Sequence, residues 1–529
     1  RPGHGLRRLA AGAGALALAA GLCVLPPSVP LAPEQRLLAH TDGAGAAASV
    51  LIDNGGDRTL LLNGRYVLGG TGGVVLEYRQ ALIPALLHPR PRTAFHLGTG
   101  TGNTAGVLAR LPGLERLVTC DNVPAVLDLA RAHFGDSNLG LFDQPHVFPV
   151  TADGRHWLAS EAGAFDLIVL DNLLPWLAGT SALLTREHFQ RIRDHLRPGG
   201  LACVWLPLHQ VDIRTVTAVL RTFEHVFPET HLWLATADLQ TSLALIGSLQ
   251  PLRLGHLLSD PRLRGPELRA ALDTALIRDA SDIFAGLTAR NVRPSAVPTL
   301  TDRRPLLDLW ATQTFHRDLA HHPHLFDSPA IAGLWSTLAT LRRGQAADLR
   351  QALGVTRDDA SDEGAAVWRR WSSTSQLVEG LAALCQGDRR AERLCLDAAR
   401  MDPGNGLARR TLESLLITLA QSRQWRAAAN LGSRAGEIFA LSPRARVAWA
   451  DALFNAGEHY RARRILEALL AEQPGDLRAG LQLLRVLDAM DRPADARALA
   501  ESLHTQHPGN ETVERLWIQM DGAHAGHAH

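Results

Sequence analysis

The sequence predicts an α/β fold built on an open, largely parallel sheet, followed by an all-α region of repeated helices. Three observations carry this reading. Strand-like apolar runs alternate with helical runs from Thr93 to Pro207, the pattern of a parallel sheet with crossover helices. Four successive strand runs end on glycine or aspartate: Gly98-Thr99-Gly100-Thr101-Gly102, then Asp121, Asp153 and Asp171. From about residue 366 helix follows helix, and Pro474 and Pro508, each in a Pro-Gly pair at a helix end, stand 34 residues apart.

The segments follow in order. After Arg7-Arg8 runs an uncharged stretch, Leu9 to Leu25, rich in Ala and Gly and closed by Pro26-Pro27. Its length suits a signal peptide, a buried helix or a short membrane span. Residues 1–35 are expected to be the last span of a membrane region extending upstream. Leu51 to Tyr66 alternate as a short β-hairpin leading into a nucleoside-binding unit over 36–250. Two apolar runs, His231–Ala235 and Ser242–Ile246, read as an antiparallel hairpin closing that sheet. Residues 251–350 are helical in pattern and broken by prolines, hence a helical extension. Residues 366–520 form the repeat region, and 521–529 a disordered Gly/Ala/His tail.

The four strand ends define the chemistry. An open α/β sheet binds its ligand across the carboxyl ends of its strands, so these residues converge on one crevice. Glycines let the backbone approach a ligand and present amides at a helix start. An acid ending the second strand suits ribose hydroxyls. A dinucleotide fingerprint needs its third glycine one residue later than Gly102, and a Walker phosphate loop needs a lysine. The chain has no lysine; all 54 basic residues are arginine. That excludes a phosphate-loop lysine and a lysine Schiff base. An adenosyl sulfonium remains, either S-adenosylmethionine or its decarboxylated form.

From Asp57 to about Ser248 the sequence resembles the spermidine/spermine synthase family, the aminopropyltransferases. The resemblance lies in Leu60–Gly64, Pro84–Pro89, the glycine loop, the three acids, Leu184–Phe189 and Leu196–Gly200. Trp205–Gln210, Thr222–Pro228 and Leu300–Asp308 are similar to segments of membrane-fused bacterial members. The resemblance implies a class I methyltransferase-like (Rossmann-type) sheet with a small N-terminal β-hairpin. It also implies a ligand site made of Gly98, Thr99, Gly100, Gly102, Asp121, Asn122, Asp153 and Gly154, with Asp171 catalytic. In that scheme Asp121 takes the ribose, Asp153-Gly154 the adenine, and Asp171 the attacking amine. The family's second gate aspartate falls on Leu174, and its Tyr-(His/Gln)-Glu reads Leu76-Glu77-Tyr78. A diamine needs an acid at each end, because burying an unpaired ammonium is costly, so putrescine is expected to be a poor acceptor. The repeat region resembles tetratricopeptide repeats, which implies a concave surface for a protein or peptide partner.

The expected activity is therefore aminopropyl transfer from decarboxylated S-adenosylmethionine to a small amine. Two other readings stay open: methyl transfer from S-adenosylmethionine on the same fold, and a silent membrane scaffold whose repeats do the work. A net charge of +1 with 20% charged residues gives no electrostatic case for nucleic acid. The five cysteines lack metal or redox spacing, and His321, His322, His324, His524, His527 and His529 lack a ligand framework, so no metal is expected. The nucleoside chemistry places the catalytic part in the cytoplasm, anchored at the bacterial inner membrane. The two arginines before the span argue for the opposite orientation, but a sulfonium nucleoside is a cytosolic metabolite.

Overall fold

The computed structural model describes residues 31, 35–43, 46–171, 173–177, 179–293, 297–317, 328–352, 362–510 and 512–518. The expected membrane span, the tail and the six clustered histidines lie outside them. Among the described residues no helix is long and apolar enough to cross a membrane, and no group of three His, Cys, Asp or Glu could hold a metal ion.

The N-terminal part is larger than the hairpin expected from Leu51–Tyr66. Four antiparallel strands, β1 (Gln35–Asp42), β2 (Ala47–Asp53), β3 (Arg58–Leu62) and β4 (Tyr66–Gly70), pair in sequence order. Asn63 and Gly64, both at positive φ, turn β3 into β4. Ala48, Val50 and Leu60 pack against Val126, Leu129 and Phe134 of the main unit. Strand β1 is mostly exposed or half-buried along its length, so it shows little hydrophobic alternation to betray it.

The main sheet has eight strands: β5 (Thr93–Leu97), β6 (Arg116–Asp121), β7 (Val147–Thr151), β8 (Phe165–Leu170), β9 (Leu196–Pro207), β10 (Glu229–Leu234), β11 (Ser242–Ser248) and β12 (Leu287–Arg290). Their order is β12-β10-β11-β9-β8-β5-β6-β7. Strands β5 to β9 pair in parallel, and β11, β10 and β12 are added through antiparallel pairings, which leaves β10 running in the direction of β5 to β9. This is the class I methyltransferase-like arrangement, extended by one strand. The expected 231–246 hairpin is present, but it does not close the sheet. Strand β12 comes from the 251–350 stretch, so that extension is not wholly helical.

Both faces of the sheet are covered, which is why its strands read as continuous apolar runs. Phe95, Val118, Ile168 and Val204 face one layer, which includes Leu158, Phe189 and Phe223. Their neighbours Ala94, Leu117, Leu167 and Cys203 face the other layer, which includes Leu82, Leu86, Ala105 and Leu108. Behind the first face the C-terminal region is all helix. The helices starting at Pro443 and His459 are followed, each after a step of 34 residues, by those starting at Leu477 and Pro493.

Ion pairs and hydrogen bonds join that helical region to the sheet unit at several places. Arg370 of the helix Asp362–Cys385 pairs with Asp282 and Asp402. Arg410 meets Asp238 at 2.8 Å, with Thr411 donating to the Ala237 carbonyl. Arg478 reaches Asp53 at 2.7 Å and Asp57 at 3.1 Å on the small sheet.

Two fully buried arginines act as internal ties. Arg342 donates to the carbonyls of Leu287, Ala285 and Trp371, fastening β12 between two long helices. Arg79, on the helix α1 (Val74–Leu87), donates to the carbonyls of Ala235, Ala275 and Asp282. Burial lowers its pKa to about 10, which leaves it charged at neutral pH. Removing its guanidinium strands three buried acceptors, each worth about 1–3 kcal/mol when left unpaired. Arg79→Met should therefore lose about 3 kcal/mol or more in chemical denaturation; an unchanged unfolding midpoint would show that the carbonyls find other donors.

Candidate active site

The glycine loop and Asp171 meet where the strand order reverses. From β5 the chain steps outward through β6 to β7, then returns to β8 on the other side of β5. Loops diverging from such a switch point open a crevice at the strands' carboxyl ends. The Asp171 amide donates to the Leu97 carbonyl at 2.9 Å, extending the β5–β8 ladder, and the Gly98 amide donates to Cys120 on the β6 side. Gly98 takes φ +94°, and a Cβ there would stand 3.3 Å from the Asp171 carbonyl. Gly100 (φ +52°) and Gly102 (φ +83°) complete the turn into the helix α2 (Asn103–Ala109). All three backbones lie in the left-handed region that glycine enters without strain.

Asp121 ends β6 beside this loop. Its carboxylate accepts from the Gly100 amide at 3.2 Å and the Val123 amide at 3.1 Å. Burial pushes its carboxyl above the ordinary range, against the pull of these amides. The Thr99 hydroxyl instead turns inward to Thr119, at 2.8 Å, so this residue can offer a ligand only its backbone. Asn122 is exposed next to Asp121.

Asp153 caps the helix α3 (Gly154–Ser160) by accepting the His156 amide at 2.9 Å, and its side chain is half-exposed. One oxygen is therefore committed to the helix and the other is available to a ligand. Gly154 packs against Leu97, where a Cβ would come within 2.5 Å. Its lack of a side chain serves helix-to-strand packing as much as ligand access.

Asp171 is largely buried. Its Oδ2 accepts from the Thr104 hydroxyl at 2.6 Å and lies 3.6 Å from Nε2 of buried His96, while its Oδ1 has no partner. The His96 ring is held on its other side by Thr119 at 3.1 Å. At the second gate position Leu174 is half-buried. The loop is closed by Trp176, which stacks on Phe315 at 3.9 Å and contacts Tyr66 of β4 at 5.4 Å. Tyr66 and Phe315 could not have been joined to this site by spacing alone, because they come from distant segments.

A further carboxylate stands here. Glu77, on the first turn of α1, is 9% exposed and accepts from the Asn103 side chain. Burial, with Asp171 adding repulsion, raises its pKa to about 8, against the hydrogen bonds of Asn103, Gly70 and Thr101. In sequence Glu77 is visible only as a mismatch to a family motif; its approach to the glycine loop is tertiary.

Residues 78–242 match the family model for the Spermine/spermidine synthase domain. The match takes in the glycine loop, Asp121, Asp153 and Asp171. Polyamine aminopropyltransferase 2 of Pseudomonas aeruginosa is 29% identical over 183 residues, 34% of this chain and 52% of that protein. The polyamine aminopropyltransferase of Nitrosomonas europaea is 31% identical over 187 residues, 34% of this chain and 57% of that protein. The chain thus spans little more than half the length of these relatives. The spermidine synthase structure from Thermotoga maritima overlays with a TM-score of 0.36 at 21% identity, covering 41% of this chain and 73% of that one.

The acid at Glu77 carries a pH signature. A carboxyl whose folded pKa is raised contributes its stability in full below the unfolded pKa, and loses it as pH rises through the folded value. The window here runs from about 4.5 to about 8. Glu77→Gln imitates the protonated form, so the fall in melting temperature between pH 6 and pH 9 should be smaller in this variant than in the parent. Parallel melting curves against pH for the two proteins would refute the assignment.

Proposed function

We propose that this protein is an aminopropyltransferase, moving the aminopropyl group of decarboxylated S-adenosylmethionine to a small amine. The observation that carries the reading is the position of Asp171, beside the glycine loop with one carboxylate oxygen unpartnered. The match of this same region to the Spermine/spermidine synthase domain supports it. In this proposal the glycine loop holds the amino-acid-derived part of the donor, Asp121 accepts the ribose hydroxyls, and the second oxygen of Asp153 takes the adenine amino group.

Asp171 then acts on the acceptor. An alkylamine is mostly protonated at neutral pH and cannot attack. The carboxylate orients the ammonium and takes its proton as nitrogen bonds to the carbon next to the sulfonium. The C–S bond breaks, its electron pair returns to sulfur, and methylthioadenosine leaves as a neutral thioether. No acid is needed on the leaving side. In-line placement of the amine supplies much of the rate.

The remaining proposals concern the rest of the chain. The helical pairs with their 34-residue step support a tetratricopeptide-like array offering a surface to a protein or peptide. Attachment to the bacterial inner membrane is proposed from the N-terminal sequence, and the cytoplasmic position of the catalytic part from the sulfonium nucleoside it would use.

Three measurements test the chemistry. Asp171→Asn should lower kcat by about 10²–10⁴-fold while methylthioadenosine still binds; full activity in this variant would dismiss Asp171 as the base. Asp121→Ala should weaken methylthioadenosine by about 1.5–3 kcal/mol in calorimetry, the scale of a hydrogen bond to a charged group; equal affinities would remove it from the ribose. With leucine at position 174, putrescine should have no advantage in kcat/KM over n-butylamine, and efficient spermidine formation would mean that another acid serves its far end.

A further inference from the structure

We propose that His96 is the positioning residue of the base: its Nε2–H holds Oδ2 of Asp171, so that Oδ1 alone is presented to the acceptor amine. The inference rests on the transferase reading above and adds a residue that touches neither donor nor acceptor.

His96 stands on β5 opposite Thr119 of β6 and Val169 of β8, wholly buried in the middle of the sheet. Burying an imidazole there is costly unless its ring nitrogens find partners. Nδ1 has the Thr119 hydroxyl at 3.1 Å. Nε2 makes no hydrogen bond among the described residues, and it faces Oδ2 of Asp171 at 3.6 Å. That separation is too long for a formed bond. Catalytic hydrogen bonds are often long in an empty site and tighten around the substrate.

The direction of the hydrogens follows from the buried groups behind the ring. Thr99 Oγ1 lies 2.8 Å from Thr119 Oγ1, which in turn contacts Nδ1. With Thr99 donating to Thr119 and Thr119 donating to Nδ1, both hydroxyl hydrogens are used and Nε2 carries the ring proton toward Asp171. The reverse order strands the Thr99 hydrogen and turns an Nε2 lone pair on a carboxylate oxygen, two acceptors face to face. The Thr104 hydroxyl already donates to the same Oδ2 at 2.6 Å. Two donors on one oxygen fix the plane of the carboxylate and leave Oδ1, buried and unpartnered, for the ammonium proton. A carboxyl that takes this proton on Oδ1 keeps Oδ2 as a carbonyl acceptor, so both donors stay in place through the transfer.

Other ionisable groups face this pair from the neighbouring elements. Glu77 on α1 and Cys203 on β9 interact with the Asp171 charge, and Asp121 at the end of β6 with His96. All three are common to the parent and to a His96 variant. A difference between their pH profiles therefore reports the contact of His96 with Asp171. Hydrogen bonds to a carboxylate favour its charged form, so losing the His96 donor should move the acid limb of kcat to higher pH.

Two measurements on the full chain test this. In turnover with decarboxylated S-adenosylmethionine and either n-butylamine or putrescine, His96→Leu should lower kcat roughly tenfold or more. Its acid limb should rise by about one pH unit, while methylthioadenosine affinity stays within about twofold. His96→Gln, whose amide offers a donor in place of Nε2, should recover kcat to within about threefold and restore the limb. A parent-like pH profile in His96→Leu, or a Gln variant no better than Leu, overturns the inference. The second measurement is independent of activity: ¹⁵N-histidine resonances of the methylthioadenosine complex, with those of His96 identified by their loss in His96→Gln. They should show the Nε2-protonated tautomer and shift in Asp171→Asn. An Nδ1-protonated ring, or signals indifferent to Asp171→Asn, overturns the inference even if His96→Leu misfolds. Absence of turnover with both amines, with the His96 signals as expected, overturns the transferase reading and leaves the contact standing.

Discussion

The architecture depends on one buried cation, Arg79. Its guanidinium gives hydrogen bonds to Ala235, which follows β10, and to Ala275 and Asp282 in the extension before β12. A buried guanidinium is tolerated only when its donors are satisfied. Here all three partners are backbone carbonyls, so the helix can seat in one position only. Two residues earlier on that helix stands Glu77. The anchor that locks α1 to the sheet also presses a carboxylate toward the glycine loop.

From this follows the character of the site. Strand reversal at β5 opens the crevice, and the three glycines let the loop turn tightly between β5 and α2. The acids are then held at different depths. Asp153 is half-exposed and shares itself with a helix end, Asp121 is held by amides, and Glu77 is buried enough to keep its proton at neutral pH. Acids in such different environments are suited to different tasks on one ligand.

The helical region is joined to this unit by charge as well as packing. Arg370, Arg410 and Arg478 each reach an aspartate of the sheet unit, and Arg478 grips the small sheet whose last strand carries Gly69 and Gly70. One apolar layer also runs from the sheet into the C-terminal helices.

The succession of strands along the chain, the glycine loop and the placement of Asp121, Asp153 and Asp171 at strand ends were legible in the sequence. They are consequences of local periodicity: buried strands read as apolar runs, and the residues that end them are the ones a crevice exposes. The 34-residue step of the last helices was equally local. Strand β1 was not legible, because half-exposed residues on an edge carry no alternation. Nor was β12, a four-residue strand inside a stretch that otherwise reads as helix. Thr99 illustrates the limit within the motif itself, since spacing gives its place in the loop but not the inward turn of its hydroxyl toward Thr119. Glu77, Tyr66 and Phe315 reach the site from separate elements, and only the tertiary structure decides that. Their meeting is set by the buried Arg79 anchor, by β4 closing over the loop at Gly69, and by Trp176 stacking between strand and helix. These are contacts between segments far apart in sequence, and no local pattern encodes them.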